Sequence, residues 1–190
     1  LKDVMEWTKY IYPGKEFAYN TSLNFDHKQL LYASVNVSPK LGIFRPTWGF
    51  NYNQQFFDTR KYGASKALSK PLLSCSLNNN FALSETMNAA IRLNASTTHA
   101  DGFLMMKSGY SVNLQFDKSF ANRTWIIYLS ANDIFKTAKE RWTMYGLGAG
   151  TTKDCYNYTR CISLQVTYNF NAKRSKYKGT GAGNEEKSRL

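Results

Sequence analysis

The sequence predicts an all-β fold, an antiparallel up-and-down β-barrel that crosses a membrane with its strands. Residues 162–170 alternate apolar and polar side chains, and the same alternation recurs backward through most of the chain. The polar positions carry Ser, Asn, Thr and Gln rather than the Lys and Glu of an ordinary solvated sheet. Since successive side chains of a strand point to opposite faces, each strand is expected to meet hydrocarbon on one side and a hydrated interior on the other.

Nine strands of this kind are predicted. The alternation is poor in the first of them and clear in the others. The last ends on Phe170, an aromatic residue suited to a membrane interface. In chain order the predicted strands cover residues 4–12, 17–25, 31–37, 44–56, 73–83, 87–96, 110–116, 125–131 and 162–170.

Each predicted strand after the first is defined by an apolar row with a period of two. The early rows are Phe17, Tyr19, Leu23 and Phe25, then Leu31, Ala33, Val35 and Val37, then Phe44, Trp48, Phe50, Tyr52 and Phe56. The later rows are Leu73, Cys75, Leu77, Phe81 and Leu83, then Met87, Ala89, Ile91, Leu93 and Ala95, then Tyr110, Val112, Leu114 and Phe116, then Trp125, Ile127, Leu129 and Ala131. The final row is Ile162, Leu164, Val166, Tyr168 and Phe170.

The connections between the predicted strands fall into two classes, short turns and long polar segments. Outer-membrane barrels have short turns at the periplasmic end and longer loops at the extracellular end. The turns are expected at residues 39–42, 84–85 and 118–123, the long loops at 57–69 and 133–157, and two short extracellular links at 26–28 and 98–102.

A soluble β-sandwich is the alternative for such a pattern. The length of the strands and the scarcity of ionic groups on their polar faces favour the membrane barrel. Arg45 and Arg92 are the exceptions, and both fall on the predicted interior face, where charge is tolerated. No run of 18 or more apolar residues occurs, so a transmembrane helix is excluded.

The net charge of +12 raises the question of nucleic-acid binding. The excess is divided between the end of the chain and connections that include Lys136, Lys139 and Arg141. No recognition helix or basic-aromatic motif accompanies it, so dispersed loop and tail charge is the preferred interpretation. Residues 1–170 are expected to form the barrel strands, and residues 171–190 a basic, glycine-containing tail that is disordered and periplasmic.

Three cysteines are present, and they cannot all pair with one another. Cys155 and Cys161 lie close together near a strand top, which makes them a candidate disulfide in an envelope compartment. Cys75 shares a face with apolar neighbours and is expected to be an inert apolar residue.

No arrangement of residues typical of an enzyme is found. His27 and His99 are the only histidines, and both lie in predicted tight connections. His99 and Asp101 could touch a metal, but a solvated loop is the preferred interpretation, and no cofactor is expected. The glycine-rich runs 146–150 and 179–183 do not follow a buried parallel strand, so they are interpreted as loop and tail.

One hairpin and the end of the chain resemble a known family. Residues 112–135 resemble the penultimate hairpin of TonB-dependent outer-membrane receptors, whose upward strand ends in an element like Asn132-Asp133-Ile134-Phe135. The last 14 residues, 177–190, look like the terminus of a Bacteroidetes outer-membrane β-barrel family related to those receptors. The resemblance implies a barrel of 22 strands, of which this chain would supply about nine at the C-terminal end. It contains no plug or TonB box, so we expect a receptor fragment or a truncated gene product.

The resemblance also implies a function. We expect the C-terminal segment of a TonB-dependent receptor that takes up a nutrient across the outer membrane, with outer-membrane lipid, the TonB system and the nutrient as partners. Such receptors contact their ligand through loops, so Trp142, Tyr145, Tyr156 and Tyr158 are candidate ligand-contacting residues, with anchoring at the membrane interface as the other interpretation. The alternative function is a non-transporting outer-membrane barrel with a structural or adhesive role.

Overall fold

A computed structural model describes residues 2–11, 18–56, 58–64, 67–145 and 150–170, and these ranges contain thirteen β-strands. All nine predicted strands are among them, so the predicted all-β class is confirmed. The strands are β1 (Lys2–Ile11), β2 (Ala18–His27), β3 (Gln29–Val37), β4 (Phe44–Phe56), β5 (Leu72–Ser84), β6 (Met87–Ser96), β7 (His99–Asp101), β8 (Leu104–Met106), β9 (Gly109–Phe120), β10 (Trp125–Asn132), β11 (Lys139–Tyr145), β12 (Gly150–Tyr156) and β13 (Cys161–Tyr168).

Seven of the strands form one antiparallel sheet, which we term the main sheet. Its order is β13-β10-β9-β6-β5-β4-β3, so neighbours in the sheet are also successive long strands of the chain. β3 and β13 lie at its two edges. This up-and-down order is that of a barrel wall, and the described residues form an open part of such a wall.

The register of the main sheet separates two faces, because residues paired across antiparallel strands lie on the same side. The apolar face carries rows such as Val35, Phe50, Cys75, Ala95 and Tyr110, or Leu77, Leu93 and Val112, or Phe116, Leu129 and Leu164. The polar face carries rows such as Ser34, Asn51, Ser74 and Ser96, or Ser76, Asn94 and Ser111, or Asn78, Arg92 and Asn113. The predicted alternation therefore holds through most of the sheet, with Arg45 and Arg92 both on the polar face. Lys118 is an exception, since it pairs with Met87 and Ile127 in an apolar row near the turn end.

The apolar face is bare. Val35 is 60% exposed, Leu129 42% and Leu164 67%, and no strand in the described ranges packs across them. A soluble sandwich would cover such a face with a second sheet. A contiguous apolar surface of this extent instead marks a contact with another apolar phase, here the hydrocarbon of a membrane. Within the described ranges, no helix has the length and apolar character needed to cross a membrane.

Short turns join the strands of the main sheet at one end, which we term the turn end. β5 and β6 are joined by the two residues Glu85 and Thr86, and the Ser84 hydroxyl accepts a hydrogen bond from the Thr86 backbone N–H at 3.3 Å. Between β9 and β10, Ala121, Asn122 and Arg123 all have positive φ. The Asn169 amide donates to the Arg123 carbonyl at 2.9 Å and so fixes this turn to the last strand.

The opposite end, which we term the loop end, carries a second antiparallel sheet. This upper sheet has the order β12-β11-β8-β7, and each of its strands is adjacent in sequence to a strand of the main sheet in the matching order β13-β10-β9-β6. The strands of the two sheets are separated at the same height of the wall by short non-strand segments, which are residues 97–98, 107–108, 133–138 and 157–160. The predictions for this end are partly wrong: the link at 98–102 belongs to the β7–β8 hairpin, and the loop at 133–157 contains β11 and β12. The strands of these two hairpins are short and alternate weakly, so a period of two does not identify them in the sequence.

The first hairpin also differs from the prediction. Residues 26–28 do not form a tight extracellular loop, because β2 pairs with β1 and not with β3, and the single residue Lys28 separates β2 from β3. The Lys28 ammonium donates to the Glu6 carboxylate at 2.5 Å. The chain therefore passes from β2 to β3 without the loop predicted at residues 26–28, and the ion pair holds Lys28 against β1.

A small core lies at the loop end. Phe103 at the β7–β8 turn and Ala64 are buried, and Leu23, Met144 and Tyr145 pack against them. The Gln55 side chain is hydrogen-bonded to the same turn. It accepts from the Gly102 N–H at 2.8 Å and donates to the Gly102 carbonyl at 3.0 Å. The long loop predicted at 57–69 contains one turn of 3-10 helix at Thr59–Tyr62. The predicted tail 171–190 lies outside the described residues.

Candidate functional site

A cleft lies where the upper sheet meets the polar face of the main sheet, and we term it the basic cleft. Its volume is about 540 Å³. It is lined by Ala95, Ser96, Ser108, Gly109, Tyr110, Lys136, Thr137, Lys139 and Arg141. Three of these residues are cations, and none is an acid.

A second cleft of about 380 Å³ continues it along the polar face, and we term it the amide cleft. The two clefts share six residues, which are Ala95, Ser96, Gly109, Tyr110, Thr137 and Lys139. The amide cleft is further lined by the polar-face side chains Asn51, Ser74, Ser76, Asn94 and Ser111. The amide cleft thus lies on the polar side of the wall, and the basic cleft adjoins it at the top of β6 and β9, where Ala95 and Tyr110 from an apolar row also line both clefts.

The position of the basic cleft depends on Asp133, which is 1% exposed at the top of β10. Its carboxylate accepts the Thr137 N–H at 2.8 Å, the Ala138 N–H at 3.1 Å and the Thr159 hydroxyl at 3.0 Å. Its own N–H donates to the Asn113 side chain at 2.8 Å. Asp133 thus closes residues 133–138 into a turn and ties this turn to β9 and to the segment before β13.

The electrostatics of Asp133 favour the ionised form. Burial raises the pKa of this carboxyl, but hydrogen bonds from the Thr137 N–H, the Thr159 hydroxyl, the Ala138 N–H and the Tyr156 hydroxyl together outweigh burial and leave the pKa below its ordinary value. The carboxylate is therefore charged at neutral pH. Its hydrogen bonds come from groups of its own turn and from Thr159 and Tyr156, and no ion pair joins it to a cation of the cleft among the described residues.

The three cations are held differently. Lys136 has its ammonium 5.3 Å from the centroid of the Tyr156 ring, within the range of a cation–π contact. Arg141 donates from Nη2 to the Ser108 carbonyl at 2.7 Å, while its buried Nε–H has no partner among the described residues. Lys139 and Arg141 lie two residues apart on β11 and therefore share a face of the upper sheet.

The four aromatics predicted to contact a ligand are not brought together. Trp142 and Tyr145 are three residues apart on β11 and lie on opposite faces of the upper sheet. Tyr145 pairs with Gly150 at one end of the β11–β12 hairpin, and Tyr156 pairs with Lys139 at the other. Tyr156 and Tyr158 stack edge to face with 5.9 Å between ring centroids, and Tyr158 is 90% exposed. Of the four, only Tyr156 borders the basic cleft, through Lys136.

Trp142 belongs instead to a carboxylate-centred cluster on the other face of the upper sheet. The Glu140 carboxylate accepts the Trp142 indole N–H at 2.9 Å, the Lys153 ammonium at 2.7 Å and the Asn157 amide at 3.4 Å. Side-chain hydrogen bonds lower the pKa of Glu140 to about 2, and the largest effect comes from Lys153, followed by Trp142 and Asn157. This cluster joins β11 to β12, and the carboxylate oxygens of Glu140 already accept hydrogen bonds from these three donors.

Cys155 and Cys161 are free thiols in the structure. The Cys155 thiol donates to the Asn157 side-chain oxygen at 3.2 Å, and the Cys161 sulfur accepts from the Asn132 amide at 3.3 Å. The candidate disulfide is therefore not formed here. Cys155 ends a strand of the upper sheet and Cys161 begins a strand of the main sheet, so the break between the sheets separates them. Cys75 lies on the apolar face, as predicted.

His99 and Asp101 lie two residues apart on β7, and the His99 ring contacts the Thr97 carbonyl at 2.8 Å. No group of three or more His, Cys, Asp or Glu side chains in the described part of the chain could hold a metal ion. The glycine-rich run 146–150 lies outside the described residues except for Gly150, which begins β12.

Sequence reasoning missed the residues that build the basic cleft. Lys136, Lys139 and Arg141 were interpreted as dispersed loop charge, and the structure places them around one cleft. The available signal was the two-residue spacing of Lys139 and Arg141. Their convergence also depends on the Asp133 turn, and the Thr159 donor to that turn comes from a segment 26 residues further along the chain.

Comparison with known proteins gives one match. The sequence profile of the outer membrane protein beta-barrel family matches residues 2–168, so the chain belongs to that family. The wall described above is accordingly part of an outer-membrane barrel, with its apolar face toward lipid. Outer-membrane barrels have short periplasmic turns and longer extracellular loops, so the turn end is expected to be periplasmic and the loop end extracellular. No curated protein and no solved structure matches this chain.

Proposed function

We propose that this member of the outer membrane protein beta-barrel family is the C-terminal segment of a TonB-dependent receptor that takes up a nutrient. The observation that carries the proposal is the pair of clefts at the extracellular end of the polar face. A wall that served only as an anchor has no need of a concave surface lined with hydroxyl, amide and basic groups. Small-molecule sites are concave and carry a few placed polar groups of this kind.

The polar face continues from the clefts toward the periplasmic end. A further cleft of about 360 Å³ there is lined by Arg45, Asn80, Asn88, Gln115 and Asp117, together with Phe81 and three alanines. The Asn88 amide donates to the Asp117 carboxylate at 2.8 Å. A solute that leaves the extracellular clefts thus meets hydrogen-bonding groups along the whole height of the wall.

The proposed division of labour assigns no covalent chemistry to these residues. The wall and its extracellular sheet bind the nutrient, and the inner membrane's proton-motive force acts through TonB on a plug domain elsewhere in the full-length receptor. The fold alone does not select transport over anchoring, since one fold serves several functions. The resemblance of residues 112–135 to the penultimate hairpin of TonB-dependent receptors is the second support.

Uptake of labelled nutrients by cells tests the proposal. Cells with the intact gene should accumulate a nutrient that cells without it do not, and accumulation should stop when TonB is deleted or the proton-motive force is collapsed. Accumulation that is independent of TonB would contradict the proposal. If deletion of the gene changes surface adhesion or envelope integrity and leaves uptake unchanged, a non-transporting barrel is the correct interpretation.

Two neighbouring residues of β6 provide a matched pair for this experiment. Asn94 lines the amide cleft, and Leu93 lies on the apolar face. Asn94→Trp should obstruct the cleft and reduce uptake, whereas Leu93→Trp places the same side chain in lipid and should leave uptake near the wild-type level. Equal uptake by the two variants would remove the assigned role of the polar face.

A further inference from the structure

We propose that the basic cleft recognises an anionic group, phosphate or carboxylate, of a hydroxyl-rich small solute. This inference rests on the proposed function, because it names the class of nutrient that the same surface binds. The amide cleft would hold the neutral, hydroxylated part of that solute. The argument depends on charge, on an unsatisfied donor and on the chemistry of the adjoining lining.

Charge is the first support. Lys136, Lys139 and Arg141 line the cleft without a carboxylate among them. The nearest acid in the register is Asp154, the exposed cross-strand neighbour of Arg141, and no ion pair joins the two within the described part of the chain. Asp133 directs its carboxylate to its own turn. The cleft therefore retains an excess of positive charge, three cations against the nearby Asp133 and Asp154, and this excess attracts an anion.

The unsatisfied donor is the second support. The Arg141 guanidinium is held in place by the bond from Nη2 to the Ser108 carbonyl at 2.7 Å. Its Nε–H is buried and has no partner among the described residues. A buried N–H without an acceptor is costly, and an ordered water or a bound ion is the usual kind of group that satisfies it. An oxyanion beside Arg141 supplies the missing acceptor, and bonds between a guanidinium and an anionic oxygen are strong.

The lining of the amide cleft indicates the rest of the solute. Ser74, Ser76, Asn94, Ser96 and Ser111 offer hydroxyl and amide groups, beside the ammonium of Lys139 and apolar neighbours that include Cys75 and Ala95. Such hydroxyl and amide groups exchange hydrogen bonds with sugar hydroxyls. The volume of the basic cleft, about 540 Å³, lies within the usual range for small-molecule sites. A phosphorylated or carboxylated sugar matches the chemistry of both clefts.

Calorimetric titration of the full-length receptor tests the proposal. The protein is placed in phosphatidylcholine nanodiscs, which carry no net anionic lipid, and titrated with glucose 6-phosphate, glucuronate and glucose. Glucose 6-phosphate and glucuronate should bind about tenfold or more tightly than glucose, since hydrogen bonds to charged groups are the stronger ones. Their affinity should fall as salt is added. Equal affinity for the three sugars would overturn the proposal.

Lipid is a second source of phosphate, and the nanodisc composition separates the two sources. Addition of lipopolysaccharide to the discs should leave the affinity for glucose 6-phosphate unchanged, because the clefts open on the polar face and lipid contacts the apolar face. Competition by lipopolysaccharide would show that the cations bind lipid phosphate and would overturn the assignment to a soluble solute.

Substitutions that each remove one charge test whether glucose 6-phosphate binds in the basic cleft. Lys139→Gln and Arg141→Gln should each lower the affinity for glucose 6-phosphate several-fold while leaving that for glucose unchanged. Asp154→Asn should raise it, because it removes the nearest negative charge. Arg123→Gln, at the periplasmic turn, removes one positive charge without touching the cleft and is the matched control. A loss with Arg123→Gln equal to that with Lys139→Gln would assign the effect to net charge and overturn the proposal.

The two proposals fail in different experiments. Charge-selective binding without TonB-dependent uptake retains the basic cleft and removes the transport function. TonB-dependent uptake of a sugar that Lys139→Gln and Arg141→Gln do not impair retains the transport function and removes the basic cleft. Circular dichroism of each variant in nanodiscs distinguishes lost binding from lost folding.

Discussion

The main sheet and the upper sheet follow one strand order but are stabilised in different ways. The main sheet has strands of 8 to 13 residues and leaves a bare apolar face, so its stability depends on lipid. The upper sheet has strands of 3 to 7 residues, and the Asp133 carboxylate and the small core at Phe103 hold it, with a minor contribution from the Glu140–Lys153 pair. Solvent and membrane thus stabilise adjacent parts of one wall, and ligand chemistry is concentrated where the two parts meet.

The largest effect is expected from a charge placed on the apolar face. Leu164→Arg puts a guanidinium into hydrocarbon and should destabilise the folded state in lipid by about 2–4 kcal/mol if the site lies near the bilayer midplane. Gln165→Arg is the matched control, since the next residue of β13 is also exposed and faces the polar side. Unfolding in lipid vesicles with denaturant measures both. Comparable losses at the two positions would contradict the assignment of the faces.

A smaller and local effect is expected from the Asp133 carboxylate. Asp133→Ala leaves the Thr137 and Ala138 N–H groups and the Thr159 hydroxyl without their acceptor, at a cost of about 1–3 kcal/mol for each one that remains buried. Hydrogen exchange should accelerate at residues 137 and 138 and in β11 and β12. The amides of β5 and β6 in the main sheet should keep their protection.

Asp154→Asn is the control for Asp133, because it removes an exposed carboxylate from the same sheet. It should leave exchange in the 133–138 turn unchanged. Acceleration that spreads equally through both sheets in Asp133→Ala would show that the two sheets are not independently stabilised.

Acid should loosen the upper sheet before the main sheet. Asp133 and Glu140 both have lowered pKa values, Glu140 at about 2. A depressed pKa adds stability that is present above the unfolded value, near 3.8 for Asp and 4.5 for Glu, and is lost as pH falls through the folded value. Hydrogen exchange between pH 5 and pH 2 should therefore show protection falling with pH at 137–138 and in β11. Asp133→Asn should remove this dependence from the turn; its persistence would contradict the assigned cause.

The smallest effect is expected at Glu140. Glu140→Gln removes the ion pair with Lys153 and weakens the acceptor for the Trp142 indole, but the pair is partly exposed to solvent and such surface pairs contribute little. Denaturant unfolding should show almost no change, and only Trp142 fluorescence should respond. A loss as large as that of Asp133→Ala would show that the outer face of the upper sheet, rather than the turn, holds it together.

The sequence could predict the main sheet because period two is a local property. Val112, Leu114 and Phe116 identify a face without knowledge of any other strand. The upper sheet could not be found in this way. β7 and β8 have three residues each, too few to show a period, and Lys139–Tyr145 places charged and apolar residues on the same face.

The candidate site was predicted less well than the fold, because it depends on contacts between distant segments. Asn132-Asp133-Ile134-Phe135 was recognised by resemblance, but its role follows from donors at Thr137, Ala138 and Thr159 that only the folded chain brings together. Trp142 and Tyr145 were grouped by position in one loop, and the strand that forms there sends them to opposite faces. Loop residues acquire their neighbours from tertiary structure, and a linear pattern does not contain it.

Spin labels placed at successive residues of β9, from Ser111 to Phe116, test the two-faced wall most directly. Each label is introduced by cysteine substitution in a full-length protein whose native cysteines are replaced by serine, and the protein is reconstituted in lipid. Labels at 112, 114 and 116 should be accessible to oxygen, and labels at 111, 113 and 115 to a water-soluble nickel complex. Accessibility that fails to alternate from one residue to the next would contradict the account.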